Sequence, residues 1–416
     1  MLDDTGYGPR LRRRGSGNML THTIMAVLGA ALAAGLLLAF YNPGSGGSGI
    51  SLPGSGAVPA PAPAAPLASG DQTIVTKVKP GLVIINTDLQ FNSEAAAGTG
   101  MVINADGLVL TNNHVIDGST KITATVAATG RTYPATVVGY DKTGDIALIQ
   151  LQNASGLTTA PIGNSSSVKI GNAVVALGNA EGQGRITATA GQVTGLNQTI
   201  TASEEGGSTA SETLTGMIQT DANIVPGDSG GPLAGSTGVI GMDTAGNAVT
   251  DQQEASAGFA IPINTALSVA RQIAGGHASS TITIGYPPFV GIFIGSGTSS
   301  NPQAQEQQQQ NGGFGGTGSA PACYTSNADL TAPSAIAPVS SGTLIVGTIC
   351  GSPAASAGMT GGAVITAVNG QAVGSPDDLT GILSRFHPGD TISVTWVSPS
   401  GGRSTSSLHL TAGPPQ

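Results

Sequence analysis

The sequence predicts a mainly β protein: β-barrels first, a smaller α+β domain after them, and one transmembrane helix in front. Three observations carry this. From Asp71 onward come short β-rich runs separated by turns, at a close spacing that favours barrels over a parallel sheet. Beyond Ser352 helix and strand patterns alternate. Near the start an apolar run extends from Ile24 to Phe40. A chain of 416 residues accommodates two folded domains plus extras.

Composition narrows the function classes. Hydrophobic residues make up 39% of the chain, enough for a sizeable core, and charged residues only 9%. The 64 Gly and 25 Pro concentrate in segments that read as linkers. The net charge is −9 even though Arg10, Arg12, Arg13 and Arg14 sit at the start. The remainder is more acidic still, which argues against a nucleic-acid partner. There is no P-loop and no CxxC, and the His residues are scattered without metal-ligand spacing, so no metal or organic cofactor is expected. GxGxxG occurs at Gly44–Gly49 and Gly313–Gly318, in low-complexity stretches with no strand before or helix after, which removes its phosphate-binding meaning.

Taken as a helix, the apolar run is about 26 Å long, close to a bilayer core of ~30 Å, and Met19–Tyr41 covers it. A cleaved signal peptide would have a shorter apolar region of ~7–15 residues and a small-residue cleavage site. Here Asn42-Pro43-Gly44 follows instead. The reading is an uncleaved signal anchor at 19–41 behind a basic cytoplasmic tail at 1–18, with everything after Tyr41 on the far side of the membrane. Residues 42–70 form a tether, flexible where Gly and Ser dominate and stiffer through the Pro-Ala stretch.

In the β-rich domain, about 71–280, Gly81-Leu-Val-Ile-Ile-Asn-Thr reads as a strand. Gly98–Ile103, the turn Asn104-Ala-Asp-Gly107 and Leu108–Thr111 read as a hairpin. His114 follows it and is the only His between His22 and His277. It is the domain's one candidate general base. Asp145 opens the apolar run Ile146–Leu151, which carries it inward, where an imidazole N–H is a suitable partner. Asp141 fits a turn-capping role. Then comes Ile218–Leu233, IQTDANIVPGDSGGPL. A Ser on a tight Gly-rich turn stands beside backbone N–H groups, which is what a nucleophile and a developing oxyanion need. A stretch from Thr199 to Thr213, rich in Ser, Thr, Glu and Gly, reads as a mobile loop. Asn264–Ile273 reads as a helix with Asn264 as cap.

GDSGGPL resembles the nucleophile motif of chymotrypsin-like serine proteases, and the longer QTDANIVPGDSGGPL is similar to the HtrA/DegP branch. TNNHV, the DIALI run and GFAIP at 258–262 resemble further motifs of that branch, in the family's order. The resemblance implies a double six-stranded β-barrel of the trypsin-like type, with Ser229 as nucleophile, His114 as general base and acid, and Asp145 orienting His114. The oxyanion hole would lie at Gly227, Asp228 and Ser229, with backbone donors from Gly227 and Ser229. Two features depart from the branch: Asp228 stands where Asn is usual, and Asn223, six residues before Ser229, is not the Asp of a Lys/Arg-specific enzyme. Small or medium apolar side chains are the implied preference.

In the last part, about 281–416, Phe289-Val290-Gly291-Ile292 resembles the carboxylate-binding loop and strand of a PDZ domain. Ser352–Gly358 reads as a short helix with Ser cap and Gly stop, Ala363–Val368 as a strand entering an Asn369-Gly370 turn, and Ser375 onward as a helix presenting Leu379, Ile382, Leu383 and Phe386. SPAASAGMTGGAVITAVNG resembles the HtrA-type PDZ signature, with Ala363 where Asp is usual. Residues from about 295 to 341 read as an insertion too polar to fold. Cys323 and Cys350 are disulfide candidates outside the cytoplasm.

The expectation is therefore a membrane-anchored serine endopeptidase of the cell envelope, acting on unfolded chains or exposed C-terminal peptides, with a homotrimer implied by the family alone. The competing expectation is a chaperone or PDZ scaffold on an inactive or latent protease fold.

Overall fold

The structure, a computed structural model, describes residues 67–92, 94–203, 211–244, 257–295, 301 and 322–415. The predicted tail, membrane anchor and nearly all of the tether lie outside the described residues. Among the described residues no helix is long and apolar enough to cross a membrane.

The fold starts with helix α1, Ser69–Val78, where the sequence reading placed only the onset of β structure. Of its residues only Val78 is fully buried, with Ile74 and Val75 half-buried against the same core, so the helix is held by a thin apolar stripe. Six strands follow: β1 Leu82–Leu89, β2 Glu94–Asn104, β3 Leu108–Thr111, β4 Lys121–Val126, β5 Thr132–Asp141 and β6 Ile146–Leu151. They are ordered β5-β4-β1-β2-β3-β6, and β5 also pairs with β6, which closes the ring. The hairpin turn at Asn104–Gly107 forms as expected, with Gly107 N–H donating to Asn104 O at 3.0 Å. A single turn of helix, α2 Asn113–Ile116, leaves β3 and carries His114.

The second ring contains β7 Ala173–Gly178, β8 Thr187–Ser203, β9 Ser211–Thr220, β10 Pro232–Gly235, β11 Gly238–Thr244 and β12 Gly258–Pro262. These close as β10-β11-β12-β9-β8-β7. Much of the expected mobile loop at 199–213 is instead paired strand: Ile200 faces Leu214 and Thr201 faces Thr213. Alternating Ile200 and Leu214 toward the core outweighs the polar composition of the rest.

Each barrel has its own core, and a third cluster fills the space between them. Val83, Ile85, Val102 and Ile149 point into the first barrel, and Val174, Val193, Leu233 and Ala260 into the second. Leu82, Met101, Leu148, Leu177, Met242 and Ile261 meet between the two. Strand β1 is thus buried on both faces, as its unbroken Leu-Val-Ile-Ile run requires. Helix α3, Ile263–Ala274, seals this interface with Ala266, Ala270 and Ile273. Its cap is Pro262, not Asn264. Asn264 lies inside the first turn and donates its Nδ2 to Asn164 Oδ1 at 2.7 Å.

The chain then returns to the first barrel, where β13, Ile282–Ile284, pairs with β5. The last part has its own core and two sheets. Its strands are β14 Pro288–Phe289, β15 Ile292–Ile294, β16 Thr343–Thr348, β17 Val364–Val368, β18 Gln371–Ala372, β19 Thr391–Val397, β20 Arg403–His409 and β21 Thr411–Ala412. β14 and β21 form a pair, and the strands between them form the larger sheet, with main order β15-β16-β17-β19-β20. Helix α4, Pro353–Ser356, is capped by Ser352, and α5, Pro376–Leu383, by Ser375. Asn369 and Gly370 both take positive φ, 48° and 78°, as a two-residue hairpin turn needs. Residues 322–341, part of the stretch the composition marked as unfolded, are packed: Tyr324, Leu330 and Ala337 are buried. Cys323 and Cys350 are bonded, with Cα atoms 5.0 Å apart.

Candidate active site

The site is assembled where the turn before β10 meets the first barrel. Gly227 takes φ +93° and Gly230 φ +81°. A Cβ at Gly227 would overlap the Asn179 carbonyl, and one at Gly230 would overlap the Thr99 carbonyl and the Thr111 hydroxyl. Only Gly fits either place, by backbone angle and by space. Ser229 lies between them, 4% exposed, and its carbonyl accepts the Thr99 N–H at 2.8 Å.

Thr99, on β2, joins three segments. Its hydroxyl donates to Gly227 O at 2.8 Å and accepts the Asn179 N–H at 2.9 Å. Thr111, at the end of β3, donates to Thr99 O at 2.7 Å. Three residues after Thr111 comes His114, so the serine turn and the His helix share one cradle.

His114 is half-buried, with its Nδ1 2.9 Å from Asp145 Oδ2 and 3.0 Å from Oδ1. Its backbone N–H also donates to Asp145 Oδ1, at 3.0 Å. Asp145 is buried and takes φ +51°, a conformation few non-Gly residues adopt. Asn112 Nδ2 donates to its carbonyl at 2.9 Å, and Thr244 Oγ1 donates to its Oδ2 at 3.1 Å. A carboxyl held by several donors keeps one orientation, so His114 Nδ1 is fixed as the donor side of the ring. The opposite nitrogen, Nε2, is then the basic one. Asp141 caps its own turn instead, accepting from Gly144 N–H at 3.1 Å.

The remaining residues singled out in the sequence fall as follows. Asp228 donates its N–H to Val225 O and accepts the Val225 N–H on Oδ2, both at 3.0 Å, so it braces the turn and its amide offers nothing to a substrate. Gly227 and Ser229 flank it. Asn223 is exposed, and its neighbour Ile224 packs on Gly258, where a Cβ would collide with it. In the C-terminal part, Phe289 lies in β14, Val290 is buried and Ile292 opens β15. The Gly291 carbonyl accepts the Ser352 hydroxyl at 3.0 Å and the Ile349 N–H at 2.9 Å. Sequence reasoning missed Thr99, Thr111, Asn112, Asn179 and Thr244. Only Thr111 and Asn112 carried a local signal, their place in the TNNHV motif with His114.

Two closed six-stranded barrels with this site between them define a trypsin-like serine peptidase. The Trypsin-like peptidase domain family matches residues 98–242. Serine protease PepD of Mycobacterium tuberculosis is 32% identical over 418 residues, covering 97% of this chain and 78% of that protein. Serine protease Do-like HtrA of Lactococcus lactis is 31% identical over 316 residues, covering 75% of this chain and 69% of that protein. Periplasmic serine endoprotease DegP of Escherichia coli is 39% identical over 180 residues, 43% of this chain and 36% of that protein. The chain belongs to the HtrA/DegP/PepD family of serine proteases and is a serine endopeptidase.

Proposed function

We propose that Ser229 attacks the peptide carbonyl while His114 takes its proton and later delivers it to the leaving amine. Asp145 keeps His114 in the required tautomer, and backbone N–H groups of Gly227 and Ser229 receive the oxyanion. Each such donor contributes roughly 3 kcal/mol in the transition state. The observation that carries this reading is the shared cradle: the Thr99–Thr111 pair holds the serine turn, and the same β3 end launches the His114 helix onto Asp145.

The same reading gives residues 71–280 to the protease and 281–416 to a PDZ domain. The loop Phe289–Ile292 leads into β15, which ends the main strand order, and a peptide would pair along that strand with its terminal carboxylate at the loop. Unfolded proteins and exposed C-terminal peptides are the substrate class. Arg10–Arg14 and the segment 19–41, with its apolar run Ile24–Phe40, anchor the chain in a bacterial membrane with both domains outside the cytoplasm. The periplasmic relative supports that side of the membrane.

Degradation of casein by the detergent-solubilised chain, with Ser229→Ala as control, tests the catalytic assignment. Loss of the nucleophile is expected to lower turnover by on the order of 10⁶. Equal cleavage by both proteins would remove Ser229 from the mechanism.

A further inference from the structure

Behind the nucleophile turn lie two carboxyls that peptide hydrolysis as described does not use. Asp243, on β11, is wholly buried and Asp228 nearly so. Both carboxyl oxygens of Asp243, and Oδ1 of Asp228, have no hydrogen-bond partner among the described residues. Only Asp228 Oδ2 is engaged, by the Val225 N–H. No ion pair among the described residues reaches either group.

The surrounding elements bring no compensating charge. After β7, Glu181 and Arg185 are exposed, and each is engaged with Gln183. After β9, Asp221 is exposed and accepts the Gln192 N–H. Before β6, Asp145 is taken up by His114 and Thr244. Strands β3, β10 and β12 carry no titratable side chain, and Glu94 is at the far, exposed end of β2. Residues 204–210 and 245–256, outside the described ones, contain no Lys or Arg.

The backbone ties the pair to the nucleophile. Asp243 O accepts the Gly230 N–H at 2.9 Å, and Asp243 N–H donates to Gly231 O at 2.7 Å. Gly231 N–H in turn donates to Asp228 O at 2.8 Å. Ser229 is enclosed by this clamp.

We infer that Asp243 is a positioning residue: the Asp228–Asp243 pair must keep one proton for the turn bearing Ser229 to keep its shape, and loss of that last proton switches the peptidase off on the alkaline side. An ionised carboxylate buried without donor or cation is very costly, and a second one beside it more so. Burial pushes the Asp228 carboxyl up to about 6, against the lowering effect of the Val225 N–H. Asp243 is raised well above the ordinary carboxylate range, by burial first and by the charge of Asp228 second. When both ionise, Asp228 is the one able to leave, because it sits on a turn and Asp243 on a paired strand. Its departure breaks the Val225 brace and displaces Gly227 and Ser229. Two charges at this place would also oppose the oxyanion.

Stability follows the same direction. Unfolded carboxyls ionise near pH ~4. The folded pair retains protons higher, so stability falls as pH rises from there through about 6 for Asp228 and further for Asp243.

The inference rests on Ser229 as nucleophile, and its test separates the two. In the intact chain, kcat/KM and the thermal midpoint are measured from pH 5 to 10 for wild type and Asp243→Asn, each normalised to its own maximum. Asn imitates the protonated acid. The alkaline loss of activity is expected to move up by at least a unit in the variant, and the fall of the midpoint above pH 6 to flatten. Infrared difference spectra of wild type alone should show a protonated carboxylic acid at pH 7 that disappears with the alkaline activity loss. No such acid band, or an identical alkaline limb and midpoint slope in both proteins, would overturn the inference. The infrared and midpoint readings need no catalysis, so an inactive Ser229 would leave them standing.

Discussion

Asp145 shows how much of this site depends on single side chains. Its left-handed φ of 51° costs on the order of 1 kcal/mol, and persists because both its backbone and its carboxyl are held. Asn112 holds the carbonyl, and His114 and Thr244 hold the carboxyl with three donors. Each of those three donors points a hydrogen at the carboxylate. Asp145→Asn replaces one acceptor oxygen with an NH2 that must face a donor. The ring of His114 is then left in the wrong tautomer or turned away. The fold should survive, since shape and volume are unchanged, while kcat drops by about 10⁴. Burst-phase acylation by an activated ester measures this directly. A loss below tenfold would show that Asp145 does not orient His114.

At the scale of elements, strand β2 decides whether the serine turn is in place. Thr99 serves Gly227 O and Asn179 N–H through one buried hydroxyl. Thr99→Val keeps the shape and leaves both groups unsatisfied, at about 1–3 kcal/mol for each buried group. The effect should fall on kcat more than on KM, because the turn that is loosened carries Ser229, the proposed nucleophile, and not the outer substrate contacts. Comparable kcat with raised KM would contradict that. This element also marks where sequence reading ends. The hairpin of β2 and β3 was visible because Asn104–Gly107 is a local turn signal between apolar runs. Thr99's partners are 80 and 128 residues away, and no local pattern encodes such a contact. The proposed triad residues, His114, Asp145 and Ser229, were singled out through their motifs. Asp243 was not, because an acid in a hairpin segment ordinarily faces water. Helix α1 was missed because its stripe is so thin. Residues 322–341 were misjudged by average composition, which conceals Tyr324, Leu330 and a disulfide.

For the whole molecule, the question is what joins the small C-terminal part to the barrels. The contacts are few and specific. Phe91, between β1 and β2, stacks on Phe289 with ring centroids 5.7 Å apart and planes 11° from parallel. Strand β21 pairs with β14 beside that ring, and Gly413 lies so close to Phe289 that a Cβ there would press on it. Beyond it, Pro415 O accepts the N–H of Gly118, just after the helix that carries His114. Phe289 opens the loop proposed to receive a peptide carboxylate, and Phe91 precedes the strand that carries Thr99. One aromatic pair therefore lies between the proposed peptide loop and the strand that supports the serine turn. Such a pair contributes about 0.5–1.5 kcal/mol beyond its area. Phe91→Ala should leave each part folded but weaken their junction, so that a single calorimetric transition broadens or splits and the lower midpoint falls by roughly 2–4 °C. Peptides binding at the Phe289 loop should then change casein turnover less than they do in wild type. An unaltered transition together with an unaltered peptide response would mean that the two parts communicate by another route, for which β13 on β5, the Val137–Tyr286 bond and the Gly118–Pro415 bond are candidates among the described residues.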